Sequence, residues 1–456
     1  MGKPQSRWQP RVSANFASPL LERSASSCGN QKCTPRSARA SLTLPNESLE
    51  SLPLRTLALL GAGASVDAGV PSSTTMTREI VSAIDTPMNE YQGILHAINY
   101  AIGAMVAHRT ANGANAYAGI DVEDLFSAVQ MLSERESLEI APFVEWSPAL
   151  SAVRQGAGSM PAFFDKDFRE GILENRAFKG PAAMIKKAVE ALTGSNAAST
   201  EELYGRLQRE MLNALTNLVR VTNKNVDYLA PLLDLDEKPI EIATLNYDRS
   251  IELLCEQRGR SLDTGIAGWA GGKDWQWDDK ASVRLLKIHG SIDWQIVEET
   301  GPGGLEEPKV LTLDDKVGTP SYSLPGVVFG ARGKLRADGP FLSMLREFDN
   351  MLQRADRVLV VGYSFRDAHI NVALARWINS SPPRDLTVID PGFNDDPRVT
   401  QRDSFTSALI GATNVLDVPL GRRVRKLNLR LVKDTAAHGL AHDDFWSGPP
   451  EGAAFT

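Results

Sequence analysis

The feature that most constrains the fold is a repeated unit, a short apolar run that stops at a turn bearing small or polar residues. Thr56-Leu57-Ala58-Leu59-Leu60 runs into Gly61-Ala62-Gly63-Ala64-Ser65, and Ile240-Glu241-Ile242-Ala243-Thr244 runs into Leu245-Asn246-Tyr247-Asp248. Val283 to Ile288 runs into His289-Gly290-Ser291, Arg357 to Val361 into Gly362-Tyr363-Ser364-Phe365, and Leu386 to Ile389 into Asp390-Pro391. Helical spacing over Asp248 to Gln257, Pro340 to Arg354 and Asp367 to Ile378 alternates with these runs. A strand followed by a helix, repeated, requires parallel pairing with helices on both faces. The expected fold class is therefore α/β, a Rossmann-like doubly wound parallel sheet.

Between the first and second runs the pattern is helical. In Val122-Glu123-Asp124-Leu125-Phe126-Ser127-Ala128-Val129 the apolar positions recur at helical spacing, with Asp121 placed as N-cap, and further helices are predicted over Ala182 to Leu192 and Ser199 to Leu218. This gives a helical insertion over about 74–235 within a sheet domain spanning 51–395, preceded by a basic tail at 1–50 and followed by an extension at 396–456. The tail carries Arg7, Arg11, Arg23, Lys32, Arg36 and Arg39 against Glu22 without an apolar stretch, and is read as disordered; a transit peptide or a nucleic-acid arm are the alternatives. Glu298 to Pro325, with its Gly and Pro, reads as a long loop.

Composition narrows the function classes. A hydrophobic fraction of 42 % with 23 % charged residues supports a sizeable core, and a net charge of -7 argues against a surface built to wrap nucleic acid. Three cysteines, Cys28, Cys33 and Cys255, form no C-x-x-C pair, so neither a four-thiolate zinc site nor a disulfide framework is expected, and no metal is called for. Without an apolar run long enough to span a membrane, the expected compartment is the cytoplasm.

The turns carry the chemistry. Open α/β sheets bind ligands at the carboxyl ends of their strands, which is where these polar residues fall. Gly61-Ala62-Gly63-Ala64-Ser65 lets backbone N–H groups approach a phosphate at a helix start, although such a turn also serves packing. Asn246 and Asp248 are placed to face a cleft, with helix capping the alternative role for Asp248. His289 is a general-base candidate, since imidazole titrates near neutrality; a hydrogen-bonded structural histidine is the alternative. His369 is read as structural or ligand-orienting. Gly362, Ser364 and Asp390 offer further backbone, hydroxyl and carboxylate contacts to a nucleotide.

The ordered set G-A-G-A-S, T-L-N-Y-D, K-I-H-G-S, G-Y-S-F and V-I-D-P resembles the sirtuin superfamily across Arg55 to Pro391. Asp367, His369, Ile370 and Asn371 after G-Y-S-F, together with Val122-Glu123-Asp124-Leu125, are similar to the sirtuin-like proteins of bacterial anti-phage systems, of the type associated with HerA ATPases. The resemblance implies NAD as ligand and substrate, held by Gly61, Ala62, Gly63, Ser65, Gly362, Ser364 and Asp390, with Asn246, Asp248 and His289 around the nicotinamide ribose. It departs from the deacylases: no cysteine lies between His289 and Gly362, Leu245 stands where Gln is usual, and no Phe-Arg occurs near Ser72-Ser73. The leading expectation is thus an NAD glycohydrolase acting in anti-phage defence. A deacylase, an ADP-ribosyltransferase and a non-catalytic NAD-binding subunit are the alternatives. The stretch after Pro391 is shorter than the roughly 100 residues of a usual sensor domain, so the resemblance further implies a homo-oligomer switched by a HerA-type ATPase partner, with no membrane or direct nucleic-acid contact.

Overall fold

A computed structural model describes residues 54–84, 92–113, 119–135, 137–139, 200–221, 225–235, 238–269, 275–300, 304–313, 326–327, 339–380, 383–393, 404–413, 415–418, 422–425 and 427–442. The expectations for the tail at 1–50 and for a helix over Ala182 to Leu192 lie outside them. The strands are β1 (Thr56–Leu60), β2 (Ile240–Thr244), β3 (Leu262–Asp263), β4 (Val283–Lys287), β5 (Trp294–Thr300), β6 (Glu306–Thr312), β7 (Arg357–Val361), β8 (Arg384–Ile389), β9 (Val415–Val418), β10 (Arg422–Arg425) and β11 (Leu427–Val432). The helices are α1 (Ser73–Ile84), α2 (Gln92–Ala111), α3 (Val122–Glu134), α4 (Thr200–Leu218), α5 (Ser250–Arg258), α6 (Phe341–Arg354), α7 (Ala368–Ser380), α8 (Phe405–Ala412) and α9 (Ala436–Leu440).

Seven strands form one sheet in the order β11-β8-β7-β1-β2-β4-β3, with every pairing parallel. This is the doubly wound sheet expected from the strand–helix alternation. Successive side chains point to opposite faces, and the central strands are apolar on both. Leu57 and Leu59 of β1, with Val358 and Val360 of β7, pack on the layer holding α6 and α7. Ala58, Leu60, Leu359 and Val361 pack on the opposite layer with α5, α9 and the 3-10 turn over Asp227–Leu233. The central β1 is flanked by β7 on one side and β2 on the other, so chain order reverses there, creating the switch point at which such sheets open a cleft.

Helices α1 to α4 build a separate core from residues such as Ile80, Ile98, Leu125, Tyr204 and Leu215, into which Tyr247 and Ile292 of the sheet domain insert. Helix α3 begins as expected. Asp121 is extended, its carboxylate accepts the Glu123 N–H at 2.9 Å, and Glu123 and Asp124 in the first turn complement the helix dipole.

Two stretches differ from the sequence reading. The loop expected over Glu298 to Pro325 begins inside an antiparallel hairpin in which Trp294 faces Thr312 and Thr300 faces Glu306. The extension after residue 395 returns to the sheet: β11 pairs with β8 from Leu427↔Arg384 to Val432↔Ile389, and α9 packs on the layer beneath. No described helix is long and apolar enough to cross a membrane.

Candidate functional site

Four strand ends converge on a cavity of about 390 Å³. From β1 come Gly61 and Ala62, from β2 Leu245 to Asp248, from β4 His289, and from β7 Tyr363, Ser364 and Arg366 to His369; α1 and α3 close the far wall with Ser73, Met76 and Asp121 to Asp124. Of the residues singled out in the sequence, Gly61, Ala62, Asn246, Asp248, His289 and Ser364 line it. Gly63, Ser65, Gly362 and Asp390 are not among its lining residues.

The glycines join two turns. The Gly61 N–H donates to the Val361 carbonyl at 2.9 Å and the Gly63 N–H to the Gly362 carbonyl at 2.8 Å, so both amides tie the β1 turn to the β7 turn. Gly362 has φ 62°, and a Cβ there would lie 2.3 Å from the Ala64 nitrogen. Close approach of two backbones therefore accounts for glycine at this position.

Asn246 is held from both sides: its Nδ2 donates to the Gly61 carbonyl at 2.9 Å and to Ser65 Oγ at 2.8 Å, while its own N–H donates to Thr244 Oγ1 at 3.1 Å. Ser65 thus reaches the site through Asn246. Asp248 accepts the Ser250 N–H at 2.9 Å and the Ser250 hydroxyl, fixing the first turn of α5 while still lining the cavity. Capping and cavity roles coexist in this side chain. His289 is 2 % exposed, and its Nε2 lies 3.4 Å from Nε2 of His369. Asp390 sits at the end of β8, where its Oδ1 accepts the Gly392 N–H at 2.6 Å and burial pushes its carboxyl above the ordinary range.

Several lining residues had no assigned role in the sequence reading. Glu123 accepts the Tyr247 hydroxyl at 3.4 Å. Burial raises the phenols of Tyr247 and Tyr363, and the charge of Glu123 raises both further, so each stays a neutral donor. Asp121, Glu123, Asp124, Asp248 and Asp367 give the cavity carboxylates on several sides, while Arg366 supplies a guanidinium at the rim, 2.7 Å from Asp121. The β7–α7 turn is locked by Phe365, which adopts the left-handed φ of 56° uncommon for an aromatic residue, and whose carbonyl accepts from Asn371 Nδ2 at 2.8 Å. The signal for these residues was present in V-E-D-L and in D-A-H-I-N, two motifs far apart in sequence that the fold brings to one cavity.

Among the described residues no group of three or more His, Cys, Asp or Glu is arranged to hold a metal ion. Cys255 is a buried free thiol whose pKa burial pushes up to about 12.

Fold and cavity together define a doubly wound α/β protein with its cleft at the strand carboxyl ends. Residues 240–406 match the model of the family described as SIR2-like domain, a stretch that includes Asn246, Asp248, His289 and the turn from Gly362 to His369. A crystal structure of Sir2 in complex with the inhibitor EX-527, 2′-O-acetyl-ADP-ribose and a deacetylated p53 peptide aligns at 13% identity, covering 85% of this chain and 90% of that one, with a TM-score of 0.29. A structure of Sir2Tm bound to a propionylated peptide aligns at 12% identity over 85% and 90% of the two chains, with a TM-score of 0.28. No curated protein matches the chain.

Proposed function

We propose that the cavity binds NAD as substrate and that the chain is an NAD glycohydrolase, converting NAD and water to nicotinamide, ADP-ribose and a proton. The observation that carries this reading is the convergence of Asn246, Asp248 and His289, from two strand ends, with the glycine turn of a third in one cavity at the switch point. Its volume of about 390 Å³ falls in the range of small-molecule pockets, about 300–1,000 Å³. The SIR2-like match over residues 240–406 supports an NAD-related activity.

The electrostatics suit the bond to be broken. Departure of nicotinamide leaves positive charge on the ribose, so stabilisation must come from groups that meet that charge without reorganising. Asp248 and Glu123 supply negative charge in the cavity, and both are already fixed by hydrogen bonds. Asn246, tethered to Gly61 and Ser65, positions the ribose or the attacking water, and His289 accepts the proton that water loses. Ala62 and Ser364 also line the cavity, and this reading assigns them to the nucleotide.

The biological role, depletion of NAD in anti-phage defence by a homo-oligomer beside a HerA-type ATPase, rests on the resemblance of V-E-D-L and G-Y-S-F-R-D-A-H-I-N to such systems. One observation favours a second reading, a non-catalytic NAD-binding subunit: the Asn246 amide is committed to two protein acceptors. Calorimetric titration with NAD, run beside chromatographic assay of nicotinamide with and without an acetylated peptide or a HerA-type partner, separates the readings. Release without an acceptor supports the hydrolase, release only with peptide supports a deacylase, and binding without release supports the subunit.

A further inference from the structure

Two imidazoles meet at the cavity wall. His289 leaves the end of β4 and is buried, whereas His369 is the second residue of α7 and is half-buried, and their Nε2 atoms lie 3.4 Å apart with ring centroids 5.5 Å apart. An imidazole nitrogen carries either a proton or a lone pair, so a hydrogen-bonded contact between two of them needs one of each. A hydrogen bond between these two rings uses a single proton, carried by one Nε2 and accepted by the other. The rings come from residues 80 apart, on separate elements that the fold brings together at the cavity.

The hydrolase reading leaves a proton on His289, and a charge on a ring with 2 % exposure is penalised by burial. We infer that His369 is the proton partner of His289: it takes the Nε2 proton of His289 as His289 receives one at its other ring nitrogen, and it passes that proton to solvent. This step rests on the hydrolase reading. The water O–H bond breaks and its oxygen forms the new bond to the ribose carbon, while the glycosidic bond leaves with its electron pair on nicotinamide. An N–H bond forms on His289, its Nε2–H bond breaks, and an Nε2–H bond forms on His369, so the pair ends with one extra proton on its more exposed ring.

The surrounding charges set the direction. Asp121, Glu123 and Asp124 face the cavity from α3, Tyr247 and Asp248 from the turn after β2, and Tyr363, Arg366 and Asp367 from the turn after β7. Arg366 and the positive end of α7 stand on the His369 side of the pair, the side from which the proton leaves for solvent. Two imidazolium rings in contact repel, so the transfer leaves the pair with one added proton and not two.

The test uses full-length His369→Phe and His369→Gln, with the chain labelled at its six histidines for imidazole titration by NMR without NAD. Loss of the charge-assisted bond between imidazolium and imidazole should lower the titration point of His289 by about one pH unit in His369→Phe. The acid limb of nicotinamide release should move down by the same amount, with kcat reduced about ten- to a hundredfold and KM changed by less than about threefold. Added imidazole should restore part of kcat. Gln restores a polar contact without carrying a proton, so His369→Gln should stay slow, whereas a structural role would be rescued by it. An unchanged His289 titration, or full activity in His369→Gln, overturns the inference even if the parent hydrolyses NAD. A parent that releases no nicotinamide overturns the hydrolase reading and the transfer step together, and the NMR titration then reports on the shared proton alone.

Discussion

Arg366 and Asp121, 245 residues apart in sequence, meet at 2.7 Å on the rim of the cavity and join the β7 turn to the start of α3. The same Asp121 carboxylate accepts from Ser73 Oγ at 2.8 Å and caps α3 through the Glu123 N–H. The sheet domain and the helical layer therefore share one carboxylate at the mouth of the site.

The two partners should not weigh equally on stability. Arg366 is 66% exposed in its side chain, so Arg366→Ala should cost less than about 1 kcal/mol. Asp121→Ala removes the cap as well and should cost about 1 kcal/mol more, whereas Asp121→Asn keeps a capping oxygen and should fall between. Urea denaturation of the three variants checks the order, and an Arg366→Ala loss equal to that of Asp121→Ala would contradict it.

Lys287 is fully buried, with its ammonium donating to the Asp248 carbonyl at 2.6 Å and to the Glu252 carboxylate at 2.7 Å. It ties the strand that carries His289 to the turn that carries Asn246. Lys287→Met leaves the carboxylate buried without its cation and should cost about 3–5 kcal/mol. Burial already raises the pKa of Glu252 above its ordinary 4.5, with Lys287 opposing that rise. A folded pKa above the unfolded one means stability that is present below the unfolded value and lost as pH rises through the folded one. Removing Lys287 raises the folded value further, so the deficit of Lys287→Met against the parent should be smaller at about pH 5 than at about pH 8. A deficit that shrinks as pH rises would refute this account.

Much of this arrangement was legible in the sequence because buried parallel strands announce themselves. Thr56–Leu60, Ile240–Thr244 and Arg357–Val361 are short, apolar and closed by turns, and each is a strand over those residues. The β5–β6 hairpin escaped because only part of it reaches the core: Trp294 is buried with Ile296 and Val310 packed on the same cluster, while Leu311 and the adjoining Leu305 are exposed and Glu299 pairs with Lys309. Strand β11 was missed although Leu427, Leu429 and Leu431 alternate with Asn428 and Arg430, the pattern of a half-buried edge strand. In the site, strand-end residues could be read because position on a parallel strand predicts the cleft. The roles of Glu123, Arg366 and His369 depend on contacts across 80 or more residues, to Tyr247, Asp121 and His289, which local pattern does not encode.

Gly362→Ala should damage the site through the backbone. The added Cβ would sit 2.3 Å from the Ala64 nitrogen and 2.5 Å from the Gly63 Cα, and φ is left-handed. The conformation costs about 1–2 kcal/mol and the overlap about 1–3 kcal/mol more. A melting temperature lowered by several degrees, together with loss of NAD-induced stabilisation, is the expected result; a variant that melts and binds NAD like the parent would show that the two turns separate freely.

The central claim is tested most directly by nicotinamide release from NAD in the parent, Asn246→Ala, His289→Ala and Asp248→Ala, each with a thermal melt. Asn246 and His289 lie at strand ends on the cavity, so truncation should leave the sheet in place, while Asn246→Ala gives up its bonds to Gly61 and Ser65 and Asp248→Ala those to Ser250 that start α5, each melting lower by an amount equivalent to about 1 kcal/mol. The account predicts release by the parent, and turnover lower by about a hundred- to ten-thousandfold in His289→Ala, with Asn246→Ala losing turnover more than NAD affinity. Asn246→Ala and His289→Ala proteins that are folded at the assay temperature and release nicotinamide at the parent rate would contradict it.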